Sequence, residues 1–334
     1  MLEERRIMEI IKRNFLLLLC MHKTNHSPCP LCKNKQASIV YPALNPRANS
    51  SYSPADSTRE EGAIVKCTRC KVIYKYPFPK SLVLQQGYEE SIDEQYLAFL
   101  PERRATFRQV ISSIERHIGK RQKVKNINQR ILDIGCAEGT LLSLARERGW
   151  DVAGVEPNKH LVKWAKKNQN LGIMQGSVYN KRLKRNSFDV ITLLDVIEHV
   201  HNPIKFLSRC NELLVPGGTI FISTPDIGSP IARVMRRRWF YILSIHVFYF
   251  TRQTMSRVLN KAGFDNVKSS PYFLRTRLSY VTEKSKNYIG ALGSIFCSVA
   301  RALGLGNREI TYWLGQRMFV ARKPRVDRDT RAFK

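Results

Sequence analysis

Ile131-Leu132-Asp133-Ile134-Gly135-Cys136-Ala137-Glu138-Gly139 is the stretch on which the reading of this chain turns. An apolar run, 130–134, has the length and residue types of a buried strand. Gly135 and Gly139 bound a turn of small residues, and the pattern over 140–148 is helical. Strand, tight turn and helix start form a unit whose free backbone N–H groups face whatever lies in the turn, and its glycines let the backbone approach a ligand closely. Working outward, a second strand over 152–155 ends on Glu156 and Pro157. An acid about 20 residues beyond a glycine-rich turn accepts both hydroxyls of a ribose. The pair predicts a ligand that contains adenosine.

Further out, short apolar runs alternate with helical patterns, the mark of an α/β domain with a mostly parallel sheet. Strands are predicted over 190–194 and 219–223, with weaker signals at 172–174, 266–270 and 318–321. Helices are predicted over 160–168, 203–214 and 251–262. Pro216-Gly217-Gly218 ends one helix and starts the next strand. Before this domain, 81–128 reads as a helical connector, with Val110, Ile111, Ile114 and Ile118 at helical spacing. Residues 1–27 read as a helical leader, 28–80 as a small cysteine domain and 325–334 as a tail. Insertions near 228–250 and 275–315 read as lids.

The same stretches carry a family resemblance. Ile131–Gly139, then 149–157, then Asp195-Val196-Ile197-Glu198-His199-Val200 and the turn Leu213-Leu214-Val215-Pro216-Gly217-Gly218 resemble, in order, the motifs of class I S-adenosylmethionine-dependent methyltransferases. The resemblance implies a Rossmann-like seven-stranded sheet over 129–324 with helices on both faces, and S-adenosylmethionine as cofactor. It implies that Asp133, Gly135, Cys136, Ala137 and Gly139 line the methionine half. Glu156 would hold the ribose, with Pro157 and Asn158 flanking the adenine and Ser177 and Val178 beside it. Asp195 would lie next to the methyl group. Ala137 and Ser177 depart from the family pattern, which commonly has Gly and Asp there.

Methyl transfer from a sulfonium needs alignment and removal of the acceptor's proton, not a protein nucleophile. His199 is the nearest candidate base in sequence to the transfer position, and His246 on a lid is its rival. Asp195, Glu198 and His199 also resemble an acid-x-x-Glu-His group that holds a divalent cation in ubiquinone-pathway O-methyltransferases. His201 is expected to face solvent.

Two Cys-x-x-Cys pairs, Cys29/Cys32 and Cys67/Cys70, have the spacing of a four-sulfur zinc ribbon. The other four cysteines are scattered, which fits a reducing, cytoplasmic setting better than a disulfide framework. This front end, with Tyr74–Pro79, Tyr88, Tyr96 and Arg103, is similar to bacterial methyltransferases of surface-polysaccharide and nucleotide-sugar pathways. So are Trp239, the run His246–Thr251 and the closing stretch 315–324. That resemblance implies a small-molecule or glycan acceptor carried on a nucleotide or a lipid.

Charge adds a separate constraint. Lys and Arg number 56 against 27 Asp and Glu, a net +29, which predicts attraction to phosphorylated acceptors, anionic membrane surfaces or nucleic acid. The arginines 233, 236, 237 and 238 are expected to grip a phosphate or a bilayer surface, and the apolar stretch 288–305 reads as an interfacial helix or as a buried helix of the second insertion. An RNA methyltransferase, a ubiquinone-type O-methyltransferase and a non-catalytic cofactor-binding scaffold are the competing readings. No apolar run has the 18 or more residues needed to span a bilayer.

Overall fold

The computed structural model describes residues 24–25, 28–44, 62–79, 100–119 and 129–325. Most of residues 1–27, residues 45–61, residues 80–99 with Tyr88 and Tyr96, residues 120–128 and residues 326–334 lie outside these.

Four short strands come first: β1 (Thr24–Asn25), β2 (Gln36–Tyr41), β3 (Ala63–Cys67) and β4 (Ile73–Tyr76). Helix α1 (Leu100–Gly119) follows, and buries Val110, Ile111 and Ile114 as its spacing predicts. Then come β5 (Arg130–Ile134), α2 (Thr140–Arg146), β6 (Asp151–Glu156), α3 (Lys159–Gln169), β7 (Met174–Gln175), β8 (Phe188–Leu194), α4 (Pro203–Leu213) and β9 (Leu214–Pro225). The first insertion holds α5 (Pro230–Met235) and β10 (Phe248–Tyr249). After α6 (Arg252–Lys261) and β11 (Asp265–Pro271), the second holds β12 (Leu274–Arg277), α7 (Leu278–Ala302) and β13 (Glu309–Tyr312). Strand β14 (Gln316–Arg322) closes the fold.

The main sheet has seven strands in the order β11-β14-β9-β8-β5-β6-β7. Strands β5 to β9 run parallel, and β14 is antiparallel to both neighbours. Side chains alternate across a strand, so each strand feeds two cores. Leu132, Ile191, Ile220 and Ile222 pack with Leu207 of α4 and Leu259 of α6 on one face. Ile131, Val190 and Phe221 pack with Ile111 of α1 and Leu141 of α2 on the other. This is the expected α/β methyltransferase architecture.

The small sheet, β1-β2-β3-β4-β10, takes its last strand from the first insertion. Phe248 pairs with Tyr74 and Tyr249 with Ile73, while Phe250 bridges to Asp226 just past β9. Arg237 donates to the carbonyls of Pro42 and Gly62, so this arginine ties the first insertion to the small sheet. His201 is half-buried rather than solvent-facing, with Nε2 3.0 Å from the Pro79 carbonyl and its ring 5.3 Å from Phe78. Among the described residues, no helix is long and apolar enough to cross a membrane.

Candidate active site

All five parallel strands end on one edge of the sheet, and the predicted residues gather there. The turn after β5 rises through left-handed positions at Gly135, Ala137 and Gly139. Added Cβ atoms would meet Val196 at 2.6 Å from Gly135 and Leu171 at 2.6 Å from Gly139. The space where a side chain would stand is therefore filled by the protein's own side chains, so neither position takes a residue larger than glycine without displacing its neighbour. Cys136 and Val178 point into the core, which leaves only their backbone to meet a ligand.

Glu156 ends β6 with 0% exposure. Its Oε2 accepts from the Ala137 amide at 2.9 Å, and its Oε1 from the Asn158 amide at 2.8 Å. One carboxylate thus ties the two strand ends together. Asn158 caps α3 through its side chain, and Pro157 sits between them half-buried. Ser177 lies beyond β7, where its Oγ accepts from the Tyr179 amide at 3.4 Å.

Asp133 is buried and accepts from Thr192 Oγ1 at 2.6 Å. Burial pushes its carboxyl up to about 7, against the Thr192 bond, and the charges of Glu138 and Glu156 add to the rise. Glu138 accepts from Thr140 and faces Arg103 at 3.4 Å, while its other oxygen, Oε2, is buried without a partner. Three acids thus crowd one turn. A ligand with positive centres would relieve that crowding, and S-adenosylmethionine carries an ammonium and a sulfonium.

Asp195 follows β8 in a left-handed conformation, φ 55°. It is exposed to solvent yet surrounded by protein, as on the floor of a recess. Those surroundings raise its carboxyl above the usual range, against hydrogen bonds from Ser223 Oγ at 2.8 Å and Gln316 Nε2 at 3.1 Å. Gln316 Oε1 is another buried acceptor without a partner. Tyr241 and Tyr272 stand close enough for the Asp195 charge to add to burial in raising their hydroxyls. Gln316 lies in the closing stretch singled out by resemblance but is not among the site residues read from sequence, and Tyr272 carries no motif; they reach the recess from β14 and from the loop after β11.

A single 3-10 turn, Ile197–His199, follows. Glu198 is 1% exposed; Thr224 Oγ1 donates to its Oε2 at 3.1 Å, and its Oε1 has no partner. The His199 ring lies 4.9 Å from that of His246, so the two sequence candidates for the base are neighbours. Burial lowers the proton affinity of both, and His199 lowers that of His246 further. The loop that carries His246 is held from the small sheet. Lys75 of β4 donates from its buried Nζ to the Ser244 carbonyl at 3.0 Å and from its amide to Val247 at 3.1 Å.

The four cysteines belong to the same small domain, with Cys29 and Cys67 packed in one core cluster with Tyr74 and Phe248. Both knuckles repeat one pattern, in which the cysteine amide and carbonyl close a tight loop with Lys33 or Lys71 in the left-handed region. Sulfur separations are 3.6 Å for Cys29–Cys70 and 3.5 Å for Cys32–Cys67. Tetrahedral zinc with bonds of about 2.3 Å sets sulfurs about 3.8 Å apart, so the cluster fits such an ion.

Known proteins match the same region. A family model described as "Methyltransferase domain" covers residues 97–269. A ubiquinone biosynthesis O-methyltransferase of Nitrosococcus oceani is 37% identical over 102 residues, 29% of this chain and 43% of that protein. One from Coxiella burnetii is 31% identical over 110 residues, 31% of this chain and 46% of that protein. The matched part spans less than half the length of either relative. Among solved structures, an S-adenosylmethionine-dependent methyltransferase from Archaeoglobus fulgidus aligns with 69% of this chain and all of its own, at 21% identity and TM-score 0.46. A possible histamine N-methyltransferase from Thermotoga maritima aligns at 17% identity and TM-score 0.45, over 69% and 95% of the two chains. With the family model spanning more than half of its residues and the site built on that span, the chain belongs to the class I S-adenosylmethionine-dependent methyltransferases.

Proposed function

We propose that the enzyme methylates a hydroxyl of an anionic small molecule or glycan, such as a phosphate-linked sugar. One observation carries the reading. Glu138 Oε2 and Gln316 Oε1 are buried acceptors without donors, and both belong to the active edge of the sheet. Buried acceptors are costly when unpaired, and an ammonium and acceptor hydroxyls would satisfy them. S-adenosylmethionine supplies the activated methyl group. The chain's own residues do the rest. Glu156 holds the turn that receives the cofactor, Asp195 and Gln316 orient the acceptor, and the acceptor's proton is lost at the His199–His246 pair. The net charge of +29 supports an anionic acceptor.

The four cysteines are proposed to hold structural zinc. Incubation of the purified enzyme with methyl-labelled cofactor and fractionated cell extract tests the function. Label is expected in a phosphorylated or lipid-linked small molecule. Label confined to RNA would overturn the acceptor class, and absence of cofactor binding by calorimetry would overturn the reading itself.

A further inference from the structure

We propose that Glu198, His199 and His246 form a binding site for one divalent first-row transition-metal ion, separate from the four-cysteine cluster. One donor atom from each of the three lies within 4.8 Å of the other two. The tautomers are set by the backbone. His199 Nδ1 is 3.0 Å from the Ile245 carbonyl, and His246 Nδ1 is 2.9 Å from that of Tyr241. A carbonyl can only accept, so both Nδ1 atoms carry hydrogen and both Nε2 lone pairs are free. Anchoring the far nitrogen in this way is how metal-binding imidazoles are held. Glu198 supplies the anion, with one oxygen pinned by Thr224 and the other buried and unpartnered.

The ligands are not the consecutive acid-x-x-Glu-His set. Asp195 is engaged by Ser223 and Gln316 and stands outside the cluster. Its place is taken by His246 from the lid. Two imidazoles and one carboxylate favour manganese, iron, cobalt, nickel or zinc over magnesium, which prefers an all-oxygen shell. With three protein ligands an ion keeps open positions. In use, which rests on the methyl-transfer reading, a hydroxyl reaching such a position would release its proton to solvent water more readily as its oxygen takes the methyl group, and the two imidazoles would hold the ion at which that proton leaves.

The test is cobalt(II) titration of the full-length protein, with elemental analysis and visible absorption. Cobalt bound to thiolates shows intense near-ultraviolet charge-transfer bands, whereas cobalt bound to nitrogen and oxygen does not. The wild type is expected to bind a second equivalent without those bands. His246→Ala, His199→Ala and Glu198→Gln should each weaken that equivalent at least tenfold, while S-adenosylmethionine affinity reports that each variant is folded. A wild type that takes up metal only at its cysteines overturns the site, whatever the variants do. So does a second equivalent that persists in all three variants. Metal uptake with no methyl transfer to any fraction would leave the site standing and remove the function proposed for it.

Discussion

Glu156 accepts from two backbone amides at once, so its loss acts on shape before it acts on a ligand. Glu156→Ala frees the Ala137 and Asn158 amides in a buried place. A hydrogen bond to a charged group contributes about 1.5–3 kcal/mol. The variant should therefore lose cofactor affinity by about that amount, read by calorimetry, and should melt at a lower temperature even without cofactor. A fall in affinity with an unchanged melting temperature would mean that the two amide bonds matter little. Asp133 gives a pH dependence. Its ordinary value is 3.8 and its folded value about 7, so the stability it contributes is fully present below 3.8 and is lost as pH rises through 7. Asp133→Asn keeps an acceptor for Thr192 and removes this titration. Relative to the variant, the ligand-free wild type should lose stability between about pH 4 and pH 8, by a few kcal/mol. Cofactor binding brings positive charge to the turn and favours the carboxylate. Affinity should then rise with pH through about 7 in the wild type and flatten in the variant, with proton release seen as a dependence of binding heat on buffer.

At the scale of elements, the first insertion shares its backbone with two sheets. Strand β10 completes the small sheet, the bridge at Phe250 ties it to the end of β9, and Lys75 holds the loop that carries His246. The cysteine cluster and the catalytic edge are therefore mechanically joined. Lys75→Met keeps most of the stem while removing the donor to Ser244. It should lower turnover more than cofactor affinity, because His246 shifts while the turn at Glu156 stays. Chelating the proposed zinc should do the same and should leave most of the helix and main-sheet circular dichroism. Equal loss of turnover and cofactor affinity in both experiments would show that the lid loop is not what the small sheet controls.

Across the whole molecule, the charge of +29 meets an apolar face. On α7 and its cap, Ile295, Phe296, Val299 and Leu303 are exposed and lie along one stripe of the helix. A basic molecule with such a stripe is suited to an anionic bilayer surface. The proposal of a phosphate- or lipid-linked acceptor then predicts sedimentation with vesicles rich in anionic lipid and not with neutral ones. Raising salt from about 0.1 M to about 1 M shortens the screening length from about 10 Å to about 3 Å and should release most of the protein. Phe296→Asp should weaken binding at low salt without changing cofactor affinity. Equal binding to neutral vesicles would remove charge from the account.

The strands of the main sheet and most helices around it were legible in sequence because each is a local pattern, whereas β10, β12 and β13 in the two insertions were not. Strand 130–134 and the helices of 140–146 and 203–213 follow from period and from turn residues that act over a few positions. The turn at Gly135–Gly139, Glu156 and the two cysteine pairs were legible for the same reason, since their spacing is short or bound to a motif. Other features needed the tertiary structure. Gln316 reaches Asp195 from β14, which lies beside β9, and Tyr272 comes near it from the loop after β11, only when the sheet closes. The filled space beside Gly135 depends on Val196, and the pairing of His199 with His246 depends on a lid strand joining the cysteine sheet. Sequence patterning determines which faces of an element are apolar, because that is set by neighbours along the chain. Which distant side chains meet at the strand ends is decided by packing, because their separation along the chain carries no signal of their separation in space.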